Sequence, residues 1–155
     1  MTGALVAGGV VVRARVLREI IAHARRAAPD ECCRLLVGTD ASIELTHTAR
    51  NLRRSPSRYL IDPADHFAAI RSARQMGLKV VGAYHAHPAS TASASPRDEQ
   101  EATDPDCLYL IVALVTAETR AFRRRGGQMR GSSCGSHPNP CRLLKTMPPR
   151  YARAN

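Results

Sequence analysis

The chain has no long apolar run. Nothing in its 155 residues approaches the roughly 20 consecutive apolar positions that a membrane helix needs, which excludes a membrane-spanning helix. Its longest apolar opening, ALVAGGVVV at 4–12, has neither a positive region ahead of it nor a convincing cleavage site, so no signal peptide is expected. Tryptophan is absent and phenylalanine occurs only twice, so the formal net charge of +10 comes without the aromatic series on which bases would stack. Acids are missing from Arg120 to Asn155, where nine Lys and Arg leave 14 basic against 13 acidic residues in positions 1–119. The body is nearly neutral and the end of the chain is basic. An even cysteine count is lacking too: there are five, and Cys32, Cys33 and Cys107 lie in apolar, strand-like contexts that suit free thiols in a reducing compartment. The expected address is the cytoplasm.

What is present fits one domain with possible tails. GGVVVRA at 8–14 is β-branched and predicts a first strand. In RVLREIIAHARRAA the apolar positions Leu17, Ile20, Ile21, Ala24 and Ala28 share one helical face, with Arg18, Arg25 and Arg26 outside it, and Pro29 ends the helix. ECCRLLVG (31–38) and SIELTHTAR (42–50) read as the next strands. Asp62 as cap, Pro63 at the first helical position and Gly77 at the close delimit a second helix. LKVVGAYHAH (78–87) and CLYLIVALV (107–115) are strand-like, and TRAFRRR followed by Gly126-Gly127 predicts one more strand and its turn. Strands interleaved with helices indicate α/β or α+β. After Gln128 the periodicity fails, and 128–155 is expected to be a mostly disordered or loosely attached basic tail beyond a domain at 1–127.

The chemistry concentrates in HAHPASTASASPRD at 85–98. Alternation along a strand puts His85 and His87 on one face, about 6 to 7 Å apart at their Cα atoms, so both imidazoles can converge on one ion. Asp98 can be a third ligand, because the small residues between allow the chain to fold back. A second reading accounts for Asp98 differently: Ser95-Pro96-Arg97-Asp98 is a good helix start in itself, with Ser95 as cap and Asp98 favouring the dipole. The two are compatible, since a capped first turn would also hold a ligand.

With these residues in place, the sequence resembles the JAMM or MPN-plus metalloproteases, in particular short bacterial members that process sulfur-carrier proteins. It has Glu31, then His85-Ala86-His87-Pro88, six residues, and Ser95-Pro96-Arg97-Asp98. The likeness extends over about residues 9–127. It implies an α/β, MPN (cytidine-deaminase-like) fold with a curved mixed sheet and flanking helices. It also implies Zn2+ held by His85, His87 and Asp98 with water in the fourth position, Glu31 as base and Ser95 as donor to the developing oxyanion. The implied reaction is hydrolysis of an amide at the Gly-Gly C-terminus of a ubiquitin-like or sulfur-carrier protein. Taken alone, Glu31 would read as a solvated carboxylate between a helix and a strand.

Three features depart from the family pattern. Ala86 stands where Ser or Thr is usual, but it points away from the metal face. Arg34 replaces a glycine, and its long charged side chain must reach solvent or find a partner. The end of the chain loses both acids and pattern. Its Cys134, His137 and Cys141 are a weak second metal grouping without an evident fourth ligand. A non-catalytic MPN scaffold is the competing reading, though such members usually lose ligands. A nucleic-acid-binding arm would need a recognisable module that is not present.

Overall fold

The structure is a computed structural model and describes residues 5–7 and 9–132. An eight-stranded mixed sheet carries three helices, as the resemblance implies. In chain order the elements are β1 (Leu5–Ala7), β2 (Val10–Val12), α1 (Ala14–Ala27), β3 (Cys33–Gly38), β4 (Ser42–Thr48), α2 (Pro63–Gln75), β5 (Lys79–His87), α3 (Pro96–Glu101), β6 (Leu108–Ala113), β7 (Glu118–Arg125) and β8 (Gln128–Ser132). The strand order is β1-β2-β4-β3-β5-β6-β7-β8. The β2–β4 and β5–β6 pairs are parallel and the others antiparallel.

Strand alternation divides the core between two faces. Val16, Ile20 and Ala24 of α1, spaced by four along one stripe, pack with Val10, Leu36, Tyr84, Ala86 and Leu110. On the opposite face, Ala69 and Ala73 of α2 pack with Leu35, Val37, Ala83 and Tyr109. The capping expected for α2 is present: Asp62 accepts from the Ala64 N–H at 2.8 Å, Pro63 opens the helix and Gly77, at φ +69°, closes it. β5 lies between β3 and β6, and a Cβ on Gly82 would meet the Leu108 carbonyl oxygen at 2.0 Å, so only glycine permits that approach. Among the described residues no helix is long and apolar enough to cross a membrane.

Three expectations need adjustment. The single strand expected over 8–14 is a tight hairpin, with β1 and β2 joined through Gly9 at φ +82°. α1 buries Val16, which the expected stripe omitted. The sheet also continues across the boundary expected at 127, because β8 pairs with β7 from Gln128 opposite Arg125 to Ser132 opposite Ala121. QMRGS has no apolar alternation; its pairing comes from main-chain bonds across the Gly126-Gly127 turn, and Met129 reaches the core. The Cys134, His137 and Cys141 grouping lies outside the described residues. Arg34 finds its partner: Nη1 lies 3.4 Å from Glu19 Oε1 on α1 and 3.3 Å from Thr46 Oγ1. That pair sits over the α1 face, where Ala86 also points.

Candidate metal centre

The end of β5 delivers both histidines. His85 is paired with Cys33 of β3 and Ile111 of β6, and His87 with Ala113 of β6, so strand backbone fixes their positions independently of side-chain contacts. Both are buried, at 1% and 5% exposure. The Tyr59 ring stacks on His85 with centroids 4.7 Å apart and planes inclined by 28°. His87 Nδ1 is 2.8 Å from the Thr91 carbonyl oxygen. A carbonyl only accepts, so Nδ1 carries the hydrogen and the Nε2 lone pair is left to face inward.

Asp98 arrives from the other side on α3. The capping box read in SPRD is complete: Ser95 Oγ accepts from the Asp98 N–H at 3.1 Å, and Asp98 Oδ2 accepts from the Ser95 N–H at 2.7 Å. The capping reading of Asp98 is thus present in the structure, and it leaves the carboxylate beside the histidines. The same carboxylate that caps the helix places Oδ1 3.2 Å from His85 Nε2 and Oδ2 3.3 Å from His87 Nε2. At its far end, α3 is held by Arg124, whose Nη1 donates to the Glu99 carbonyl at 3.1 Å and also to that of Ala102.

Glu31, 8% exposed, stands at the rim with Oε1 4.0 Å from His87 Nε2. It precedes β3 and is clamped through its backbone. Its N–H donates to the Ser55 carbonyl at 2.8 Å, and its own carbonyl accepts from Asn51 Nδ2 at 3.0 Å. The next residue is tied to the histidine strand, with the Ala86 N–H donating to the Cys32 carbonyl at 3.0 Å. The fold thus brings Glu31 to the histidines across more than fifty positions of sequence. Asn51, Tyr59, Thr91 and Arg124 are supports that sequence reasoning missed. Asn51 opens a polar loop and Arg124 sits in a run of arginines, so neither stood out by residue type.

The cluster suits a metal cation. One ligand atom from each of His85, His87 and Asp98 lies within 4.8 Å of the others, all three residues being buried. A tetrahedral ion with ligands at about 2.0–2.1 Å keeps neighbouring ligand atoms about 3.3 Å apart. The closest approaches here, 3.0 Å between the two Nε2 atoms, 3.2 Å from His85 Nε2 to Asp98 Oδ1 and 3.3 Å from His87 Nε2 to Asp98 Oδ2, are of that order, with one carboxylate oxygen turned to each imidazole. Electrostatics agree. Burial acts most strongly on His87 and downward, but the Asp98 hydrogen bond, the Thr91 carbonyl and the charges of Asp98 and Glu31 outweigh it and raise its pKa. The pocket favours positive charge.

The mixed sheet and the buried cluster lie within a stretch of chain that matches the JAB domains. Residues 13–125 match the family described as prokaryotic homologues of the JAB domain, and the chain belongs to that family. It is 35% identical over 106 residues to the CysO-cysteine peptidase of Mycobacterium tuberculosis, a match covering 67% of this chain and 73% of that protein. Similarity to the desampylase of Haloferax volcanii is 33% identity over 99 residues, covering 59% of this chain and 71% of that one. A solution structure of a protein from Desulfitobacterium hafniense superposes with a TM-score of 0.72 at 29% identity, covering 79% of this chain and 88% of the other.

Proposed function

We propose that the protein is a zinc-dependent peptidase or isopeptidase that hydrolyses the amide bond at the Gly-Gly C-terminus of a ubiquitin-like or sulfur-carrier protein. The observation that carries this reading is a buried His85, His87 and Asp98 cluster with a second buried carboxylate, Glu31, 4.0 Å from one of its imidazoles. The names of the relatives support the substrate class: one acts on a CysO–cysteine conjugate, another is a desampylase, and a Thermus thermophilus relative, 36% identical over 88 residues, is a probable TtuB-protein conjugate cleaving protease.

His85, His87 and Asp98 would hold the metal, which when bound supplies Lewis acidity and lowers the pKa of water. The remaining work falls to this chain's own groups. Glu31 takes a proton from the attacking water and returns it to the leaving nitrogen; its fixed backbone keeps the carboxylate beside the cluster through both transfers. Ser95 Oγ uses a lone pair to cap α3, and its hydroxyl hydrogen is left to donate to the oxyanion that develops on the scissile carbonyl. The glycines of the substrate tail let an extended chain approach closely, since they bring no side chain to the cleft. Among the described residues Cys32, Cys33 and Cys107 are buried and form no disulfide, which suits a protein working in the reducing cytoplasm.

Incubating the zinc-loaded protein with Gly-Gly-terminated carrier conjugates, with and without chelator, and reading the products by mass spectrometry tests metal and reaction together. Cleavage after the second glycine that chelator abolishes is expected. Cleavage that survives complete metal removal contradicts the reading.

A further inference from the structure

Glu31 and Cys32 stand just outside the sheet. The β3–β5 pairing begins one residue later, with Cys33 opposite His85, and the β3–β4 pairing at Arg34 opposite Thr48. A cavity of about 320 Å³ opens against the same stretch, with Glu31, Cys32, Asn51 and Arg53 in its lining. A segment with open space on one side has no close packing there to hold it, so its position depends on the bonds it makes elsewhere. Three of these bonds hold its main chain, from Ser55, Asn51 and Ala86. A fourth holds a side chain and comes from the opposite face of the sheet. Tyr84 and His85 are neighbours on β5 and point to opposite faces, so the fully buried Tyr84 ring packs into the α1 side of the core. Its hydroxyl lies 3.6 Å from Cys32 Sγ and also contacts Nδ1 of His23 on α1, the two rings meeting edge to face with centroids 5.9 Å apart. A hydroxyl has one hydrogen to give and lone pairs to receive, so it bonds both groups at once. Burial keeps the two ends of this chain neutral, pushing the His23 pKa down to about 4 and the Cys32 thiol up.

We propose that Tyr84 and His23 are positioning residues for Glu31, acting through Cys32. His23 fixes the Tyr84 hydroxyl, the hydroxyl fixes the Cys32 side chain, and Cys32 fixes the carboxylate one residue before it. The inference rests on the proposed role of Glu31 as the group that moves protons. Such a group has to stay within hydrogen-bond reach of both the water and the leaving nitrogen, and a displacement of about 1 Å can cost on the order of 100-fold in rate. Cys32 packs in the α1-side core while Glu31 reaches His87 on the other side, so an anchor on the first sets the direction of the second. The main-chain bonds fix where the segment runs. The Tyr84 hydroxyl fixes how it is turned about its own axis, which decides where the carboxylate points.

Tyr84→Phe deletes the hydroxyl and leaves the ring in its packing. With the zinc-loaded protein and a Gly-Gly-terminated conjugate, kcat should fall about tenfold or more while KM and zinc content stay at their wild-type values. Tyr84 is next to His85, so loss of zinc, or a change in KM alone, overturns the assignment. The combination with Glu31→Gln decides whether the effect runs through the carboxylate. Tyr84→Phe should change the residual rate of Glu31→Gln by less than about twofold, whereas an undiminished loss in that background overturns the tether. His23→Ala, at a half-buried position on α1, removes the far end of the chain with less risk to folding and should lower kcat in the same sense by about threefold; wild-type kcat in both variants contradicts the proposal. Hydrogen exchange in the metal-free protein supplies a readout independent of turnover. The Glu31 and Ala86 amides should exchange about tenfold faster in Tyr84→Phe with the β6 amides unchanged, and unchanged exchange at both overturns the tether. Wild-type cleavage by Glu31→Gln alone is a different result: it would overturn the role of Glu31 itself and the tether with it.

Discussion

The two halves of the His85, His87 and Asp98 cluster are held by different means. His85 and His87 stand on β5, which is bonded to a neighbour on each side, whereas Asp98 stands on a six-residue helix fixed by its own capping box and by Arg124. The histidine half is rigid because the whole sheet would have to open to move it. A helix of six residues is unstable by itself, so the carboxylate half owes its order to a few named bonds. The comparison locates the adjustable side of the site.

Breaking the strand half should have the larger effect. His85→Ala removes a proposed ligand and the ring that Tyr59 stacks upon, and metal content by inductively coupled plasma spectrometry should fall to near zero. Asp98→Asn should separate the two duties of the helix half. Its amide oxygen can still accept from the Ser95 N–H, so thermal stability without metal should remain close to wild type while zinc affinity drops by about 10- to 100-fold. An equal loss of stability would mean that the charge, and not the cap geometry, holds α3.

Smaller effects follow further out. Arg124→Gln removes the bonds to the Glu99 and Ala102 carbonyls and should weaken zinc binding by about tenfold, as measured by competition with a chromophoric chelator. Unchanged affinity would show that the capping box suffices. The most modest effect concerns pH. Burial on α2 pushes the His66 pKa down to about 4, below its unfolded value of roughly 6.5. Between those values the unfolded chain binds the extra proton, so the His66 contribution is fully present above pH 6.5 and is lost as pH falls toward 4. It amounts to at most about 3 kcal/mol. The urea midpoint of the metal-free protein should therefore fall less steeply across this window in His66→Gln than in the wild type.

The parts of the site encoded by neighbouring residues were legible in the sequence. Alternation placed His85 and His87 on one face, and Ser95, Pro96 and Asp98 announced a capped helix start. The interleaved strands and helices were readable for the same reason, because each pattern spans only a few turns or pleats. The bonds that join distant segments leave no such mark. Asn51 reaches Glu31 from 20 positions away and Arg124 reaches α3 across more than 20, and no local period encodes either. β8 was missed because an edge strand needs main-chain partners more than apolar alternation, and QMRGS carries no alternating apolar pattern around Met129. Glu31 is the intermediate case. Its residue type was unremarkable, and only the family resemblance drew attention to it before the fold placed it 4.0 Å from His87.

The central claim is that Glu31 moves protons beside a metal it does not hold. Glu31→Gln keeps the shape of the side chain and the backbone clamp, so metal content and cleavage rate measured on the same preparation test it most directly. The account predicts about one zinc per chain, as in the wild type, with cleavage of a Gly-Gly conjugate reduced by about 100- to 10,000-fold. Wild-type cleavage by the variant, or loss of its zinc, would contradict it.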